Sequence, residues 1–267
     1  VSGEFEFVWP TAFDESEREH LSASSINMLM RCEQQYAFRY FEGLKAPPKA
    51  AMVQGSSVDD AANFNFRQKI LSGSDRPLPE VLDAAATSFE RRKDEIEDWS
   101  MSPGAAKDGV IAMTQEHHTS IAPKVQPVAV QEEFWLYSGE WDLPVLGFKD
   151  VRTSTETRDL KTTTRTKSQK DLESDIQAGI YLLASHASQE AERFVWDQIV
   201  QLKNGPKVAE LERIGTQASY DITIRMVAVA EQRIAQMRES GIFKPADPSH
   251  WACGYCGYRN ICPYIHD

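Results

Sequence analysis

The placement of four cysteines constrains the fold of this 267-residue chain more than any other feature. Cys253, Cys256 and Cys262 crowd into the run CGYCGYRNICP at one end, and Cys32 lies near the other. Four thiols are the number that holds one iron–sulfur cluster or one structural zinc. If they share a centre, the two ends of the chain meet, and the residues between them form a closed body.

Composition fits such a body. Hydrophobic residues at 41% and charged residues at 26% suit a globular protein. No apolar run approaches the roughly 20 residues of a membrane span. The stretch VSGEFEFVWP has no basic or apolar run of the kind a secretion signal carries. The expected setting is therefore cytoplasmic and reducing, where clustered cysteines bind metal rather than pair. A net charge of −11 argues against a chain that coats nucleic acid, yet leaves room for a local basic groove.

Residues 1–20 read as an irregular lead-in. A helix is predicted over 22–44, capped by Ser22 or Ser24 and carrying Cys32. A Pro-broken linker (46–55) precedes a second helix, and 78–98 reads as a third. Pro103, Gly104 and Gly109 make 100–115 loop-like, so that 75–115 reads as a largely helical insertion. Strands follow at 126–138, 143–151 and 157–164, the last two joined by the turn 153–156. A helix over 169–187, strands at 193–202 and 207–214, and a helix over 218–240 complete the order. This is an α/β pattern with a mixed sheet flanked by helices.

The stretch GFKDVRTSTETRDLKTTT carries the chemistry. Asp159 and Lys161, two apart on a strand, share a face, and Asp150 can meet them from the neighbouring strand. Converging carboxylates suit Mg²⁺ or Mn²⁺, and a lysine beside them can orient a water or stabilise charge on a phosphate. That is the minimum set for metal-assisted phosphodiester hydrolysis. The bland alternative is an exposed strand pair making a surface ion bridge.

These residues resemble the PD-(D/E)XK nuclease superfamily, with Asp150 as its first acidic residue and Asp159-Leu160-Lys161 as its (D/E)XK element. SASSINMLMRC resembles the opening helix of RecB-type nucleases that carry a cluster. DIQAGIY matches their QxxxY element through Gln177 and Tyr181, and CGYCGYRNICP their terminal cysteines. The nearest likeness is to CRISPR-associated adaptation exonucleases and the nuclease domain of AddB-type helicase–nucleases. The resemblance implies a restriction-endonuclease-like core over 1–267, closed by a clasp of 22–44 and 250–267. It implies a [4Fe-4S] cluster on Cys32, Cys253, Cys256 and Cys262, with zinc as the bland alternative. It also implies Mg²⁺ or Mn²⁺ held by Asp59, Asp150, Asp159 and the carbonyl of Leu160, and cleavage of single-stranded or frayed DNA. Recombination or CRISPR adaptation proteins, and further copies of the chain, are the partners such families have.

One departure stands out. Where the family often has GxxxH, this chain has Gly55 followed by Asp59, which makes the expected metal set all-carboxylate. The same departure sustains a rival, a DNA-binding or complex-assembly protein on a weakened nuclease fold; a second rival is a CRISPR spacer-processing subunit active only with partners. The basic residues Arg158, Arg165, Lys167 and Lys170 adjoin the site and are the expected path of a DNA backbone; a solvated loop and helix start is the alternative. Glu132 and Glu133 precede Asp150 on a strand, and one could face a metal. His117 and His118 read as surface.

Overall fold

The structure, a computed structural model, describes residues 5–8, 19–247 and 249–265. The described strands are β1 (Phe5–Val8), β2 (Ala129–Ser138), β3 (Val145–Arg152), β4 (Thr157–Thr163), β5 (Arg193–Leu202) and β6 (Gly205–Ile214). They are hydrogen-bonded in the order β1-β2-β3-β4-β5-β6. β1 pairs antiparallel with β2, β3 with β4, and β5 with β6, whereas β4 and β5 are parallel. The sheet is therefore mixed, as expected. A strand at 5–8 was not, because its pairing partner lies far along the chain.

The helices are α1 (Ala23–Arg31), α2 (Glu33–Tyr36), α3 (Ala50–Ser72), α4 (Leu78–Arg92), α5 (Pro103–Ser120), α6 (Gln169–Glu173), α7 (Ile176–Ala187), α8 (Gln217–Ser240) and α9 (Trp251–Gly254). No helix of the described residues is long and apolar enough to cross a membrane.

Contacts divide the chain into two compact units. The first comprises Val1–Pro47, Phe134–Gly147 and Thr216–Asp267, and the second Pro48–Glu133 and Phe148–Gly215.

In the first unit, α1 starts at a reciprocal cap: Ser22 Oγ accepts from Ser25 N at 3.2 Å, and Ser25 Oγ accepts from Ser22 N at 2.9 Å. The helix predicted over 22–44 is interrupted at Cys32, whose extended backbone (φ −163°, ψ 110°) ends α1 and begins α2. A π-helical turn, Ala37–Phe41, follows. Glu33 ties this segment to the chain beyond α8: its N–H donates to Lys244 O at 3.0 Å, and its carboxylate accepts from Lys244 N at 2.8 Å. Tyr258 packs on Phe38, with ring centroids 5.4 Å apart, and donates its hydroxyl to Leu44 O at 2.8 Å.

In the second unit, α3, α4 and α5 enclose an apolar cluster of Val53, Val58, Ala61, Val81, Phe89, Val110 and Met113, which also takes in Ile199 of β5. Leu160 of β4 packs against this cluster and against a second one built on Phe66, Ile121 and Val151.

Three local expectations fail in this unit. Residues 103–120 form α5 rather than a loop. Pro103 sits in the first turn, where its missing N–H costs nothing, and Ser102 Oγ accepts from Ala105 N at 3.2 Å. Gly109 is retained inside α5 because a Cβ there would lie 2.8 Å from Gln54 Nε2 and 2.6 Å from Gln201 Nε2. The helix over 169–187 is two helices, because Asp175 caps α7 by accepting from Ala178 N at 2.9 Å. His117 is buried, its ring 5.6 Å from that of Phe66, rather than on the surface. Burial, with His118 and Arg158 nearby, lowers its pKa to about 4.

Candidate active site

β3 and β4 are joined through Thr153, whose Oγ1 accepts from the N–H groups of Thr155 and Glu156, both at 3.1 Å. The antiparallel register sets Val151 opposite Arg158. The next step of that register places Asp150 opposite Asp159, on one face of the sheet. Helix α3 brings the third carboxylate. A Cβ at Gly55 would lie 2.8 Å from Thr162 Oγ1 of β4, so glycine is what lets α3 approach the sheet. Asp59 follows one turn later, on the same side of the helix.

Asp159 is 1% exposed. Its Oδ1 accepts from Gln177 Nε2 at 2.8 Å, and its Oδ2 lies 2.7 Å from Lys161 Nζ. That ion pair engages one lone pair of Oδ2, so the oxygen keeps capacity for a further ligand. Asp150 Oδ2 accepts from Leu160 N at 3.4 Å. Asp59 Oδ2 accepts from Asn63 Nδ2 at 3.0 Å. Gln131 of β2 reaches both remaining carboxylates: its Nε2 lies 3.3 Å from Asp150 Oδ1 and 3.5 Å from Asp59 Oδ2.

The electrostatics follow from this crowding. Burial, then the charges of Asp60 and Asp159, raises the pKa of Asp59 to about 6. Burial, then Asp159 and Asp59, holds Asp150 well above the usual carboxylate range. Burial also raises Asp159, although Lys161 opposes it. Burial alone would lower the pKa of Lys161, but Asp159, Asp150 and Asp175 raise it on balance. Lys161 is therefore a fixed ammonium near neutral pH.

Gln177 and Tyr181, one turn apart on α7, connect the site to the sheet. Lys161 Nζ donates to Gln177 Oε1 at 2.7 Å, and Gln177 Nε2 also donates to Tyr181 Oη at 3.0 Å. Tyr181 Oη donates to Phe148 O at 2.5 Å. Burial, then the nearby carboxylates, raises the Tyr181 pKa far beyond the usual phenol value, so the hydroxyl stays protonated.

The structure brings Asp59, Asp150, Asp159, Lys161, Gln177 and Tyr181 into this one network. It separates the basic residues. Arg158 is buried and bound to Asp197 (2.8 and 2.5 Å), to Glu210 (2.6 Å) and to Glu156, so it presents no free charge. Lys167 lies over the Trp196 ring, 4.6 Å from its centroid. Arg165 and Lys170 are exposed. Of the two glutamates on β2, Glu132 pairs with Arg152 at 2.6 Å. Two residues escaped sequence reading: Gln131, whose unusual backbone (φ 51°) no local pattern announces, and Asp175, legible only as a helix cap beside Gln177.

In the first unit, Cys32, Cys253, Cys256 and Cys262 line one cavity of about 20 Å³. Burial raises the pKa of Cys253, and Cys32 and Cys262 add to it. Burial likewise raises Cys256. As they stand, no three or more His, Cys, Asp or Glu side chains among the described residues are arranged to hold a metal ion. The donor types nevertheless fit the expected groups. One buried carboxylate, Asp159, and two half-buried ones, Asp59 and Asp150, all with raised pKa values, suit a hard divalent cation. Four thiols around an ion-sized space suit a thiophilic metal centre, and a cluster would require that space to widen.

No curated protein matches the chain. Among solved structures, a Eubacterium rectale protein named "Putative exonuclease" superposes with a TM-score of 0.62 at 14% identity, over 93% of each chain. SSO0001 gives a TM-score of 0.44 at 13% identity, over 94% of this chain and 89% of that one. The first shares the fold. A family profile described as the PD-(D/E)XK nuclease superfamily matches residues 20–263, which contain every carboxylate and cysteine of both sites. The chain therefore belongs to the PD-(D/E)XK nuclease superfamily.

Proposed function

We propose that this protein is a Mg²⁺- or Mn²⁺-dependent deoxyribonuclease of the RecB type, an exonuclease acting on single-stranded or frayed DNA. The observation that carries the reading is the Lys161 ammonium 2.7 Å from Asp159 Oδ2, beside the two half-buried carboxylates Asp59 and Asp150. A bound divalent cation supplies Lewis-acid polarisation of the phosphate and stabilisation of the leaving oxygen. Asp59, Asp150, Asp159 and the carbonyl of Leu160 would hold it.

Lys161 acts as a hydrogen-bond donor rather than a base. Its raised pKa keeps it protonated, and Gln177 Oε1 and Asp159 Oδ2 fix its position. It orients the attacking water and offsets charge on the phosphate. Gln177 sets the spacing of Lys161 and Asp159, and Tyr181 anchors Gln177 to the β3 backbone.

Cys32, Cys253, Cys256 and Cys262 would hold a [4Fe-4S] cluster that clasps the first unit. Iron, acid-labile sulfide and zinc assays on anaerobically purified protein distinguish the cluster from zinc. The nuclease reading is tested by incubating labelled single-stranded DNA with Mn²⁺ or Mg²⁺. Cleavage that is abolished by chelator, by Lys161→Ala and by Asp150→Ala is expected. Binding without cleavage in either metal would instead support the weakened-nuclease rival, which the aspartate at position 59 keeps open.

A further inference from the structure

A cleft of about 1040 Å³ lies within the second unit, and Asp59 and Gln131 line it. It therefore opens onto the carboxylates. Its wall is one face of α3. Asp59, Asn63 and Arg67 follow at successive turns, so the cleft extends about 12 Å from Asp59 to Arg67 along the helix. Arg91 of α4 lines it as well.

The chemistry of this wall is specific. Arg67 and Arg91 are exposed, and neither makes an ion pair or hydrogen bond among the described residues. Cations left unneutralised in an acidic chain are available to phosphate. Phe64 is 38% exposed, and the Arg76 guanidinium lies 4.0 Å from its ring centroid. Glu80 (3.0 Å) and Gln68 (3.3 Å) hold that guanidinium in turn. The result is a rigid aromatic–arginine platform beside two free arginines. Phe148, 42% exposed and two residues before Asp150 on the same face of β3, adds a second aromatic where the cleft meets the site. Of the acidic residues in the lining, Asp60 is bound to Arg92 and Glu80 to Arg76, and Asp59 belongs to the carboxylate site; exposed Asp83, two turns before Arg91 on α4, leaves one surface carboxylate against the two arginines.

We propose that this α3–α4 cleft is the track for a single DNA strand, with Arg67 and Arg91 on its phosphates and Phe64 under a base. The proposal rests on the nuclease reading above and names where its substrate lies. A duplex would keep its bases stacked on each other and give Phe64 nothing to hold; an unpaired strand offers base faces to aromatic side chains and phosphates to arginines.

The test is fluorescence anisotropy of a labelled thymidylate oligomer with the full chain, in chelator so that no cleavage occurs. Arg67→Glu/Arg91→Glu should weaken binding about tenfold or more and reduce the salt slope by about 1.4, the share of two phosphates on a single strand. Phe64→Ala should weaken binding about fivefold or more, and Phe64→Trp should restore it. Lys203→Glu/Lys207→Glu makes the same charge change at the β5–β6 turn, outside the cleft, and should move affinity less than about twofold. Thermal melts check that each variant is folded. Unchanged affinity in the Arg67/Arg91 variant, or an equal loss in the Lys203/Lys207 variant, would overturn the track. Cleavage with metal by wild-type protein, alongside unchanged binding in the Arg67/Arg91 variant, leaves the nuclease standing and the track refuted. Lost affinity in that variant, with no cleavage by wild type in either metal, supports the track and refutes the nuclease.

Discussion

Gln131 donates its side-chain amide to Asp150 at 3.3 Å from a backbone held at φ 51°. A non-glycine residue in the left-handed region is strained, at a cost of order 1 kcal/mol. Here the strain coincides with a neutral side chain that reaches both Asp150 and Asp59. The amide shields two carboxylates that would otherwise face each other.

Gln131→Glu removes that shield and adds a fourth negative charge. The metal-free variant should melt about 2–4 °C below wild type, the shift that about 1 kcal/mol causes in a chain of this size. Mn²⁺ should then raise its melting temperature more than it raises that of wild type, because the added oxygen is a ligand for a hard cation. Thermal melts with and without Mn²⁺ decide it, and a variant more stable than wild type without metal contradicts the shielding role.

The raised carboxylates also set a pH dependence. A group whose pKa is higher in the folded state stabilises the fold while protonated, and that contribution is lost as pH rises through the folded value. For Asp59 the window runs from its ordinary 3.8 to about 6. His117 acts in the opposite sense: its pKa falls from 6.5 to about 4, so its contribution is present above 6.5 and lost as pH falls. Asp59→Asn isolates the first term. Without metal at pH 7.5 it should be more stable than wild type by about 1–3 kcal/mol, with the advantage vanishing below pH 4. Urea unfolding at both pH values measures this, and an advantage that grows on acidification contradicts it.

How much of this was legible in sequence depends on the range of the interaction. Asp150, Asp159 and Lys161 were readable because a two-residue strand period and a short turn determine their facing. Gln177 and Tyr181 were readable because one helical turn separates them. The β-rich middle was legible for the same reason. Helix ends were not: Cys32, Pro103 and Asp175 are turned into caps or breaks by partners outside any sequence window. Gly109 and Gly55, which look like breakers, are helix-interior because other side chains pack where their Cβ would be. Arg158 was misjudged for the same reason, since its partners Asp197 and Glu210 come from strands β5 and β6, far along the chain.

The fate of Arg158 is itself testable. Its guanidinium neutralises Asp197, which burial alone pushes up strongly and which still sits at about 6 with Arg158 opposing that rise. Removing one member of a buried pair leaves the other uncompensated, so Arg158→Ala should destabilise the protein by about 3–5 kcal/mol. Arg158→Met/Asp197→Leu should recover part of that loss, because the buried pair is replaced by apolar volume while Glu156 keeps Arg193 and Glu210 keeps Lys124. Chemical unfolding of the three proteins measures both steps. A stable Arg158→Ala whose DNA binding has a shallower salt slope would return this residue to the backbone path.

Tyr181 is the last link of the chain Lys161–Gln177–Tyr181–Phe148, and it should act by position alone. Tyr181→Phe leaves the Phe148 carbonyl without its donor and frees Gln177 to rotate. The structural cost should be about 0.5–1.5 kcal/mol, the net worth of one hydrogen bond. Misplacement of Lys161 should lower kcat about tenfold while KM changes little, as expected of a residue that acts only through the position of Gln177. Gln177→Ala should cost more than Tyr181→Phe, because Gln177 contacts Lys161, Asp159 and Tyr181 together. Steady-state cleavage of a single-stranded oligomer in Mn²⁺ ranks the two variants. If Tyr181→Phe proves the more damaging, or if it raises KM and spares kcat, then the phenol meets DNA directly and the relay to Phe148 is incidental.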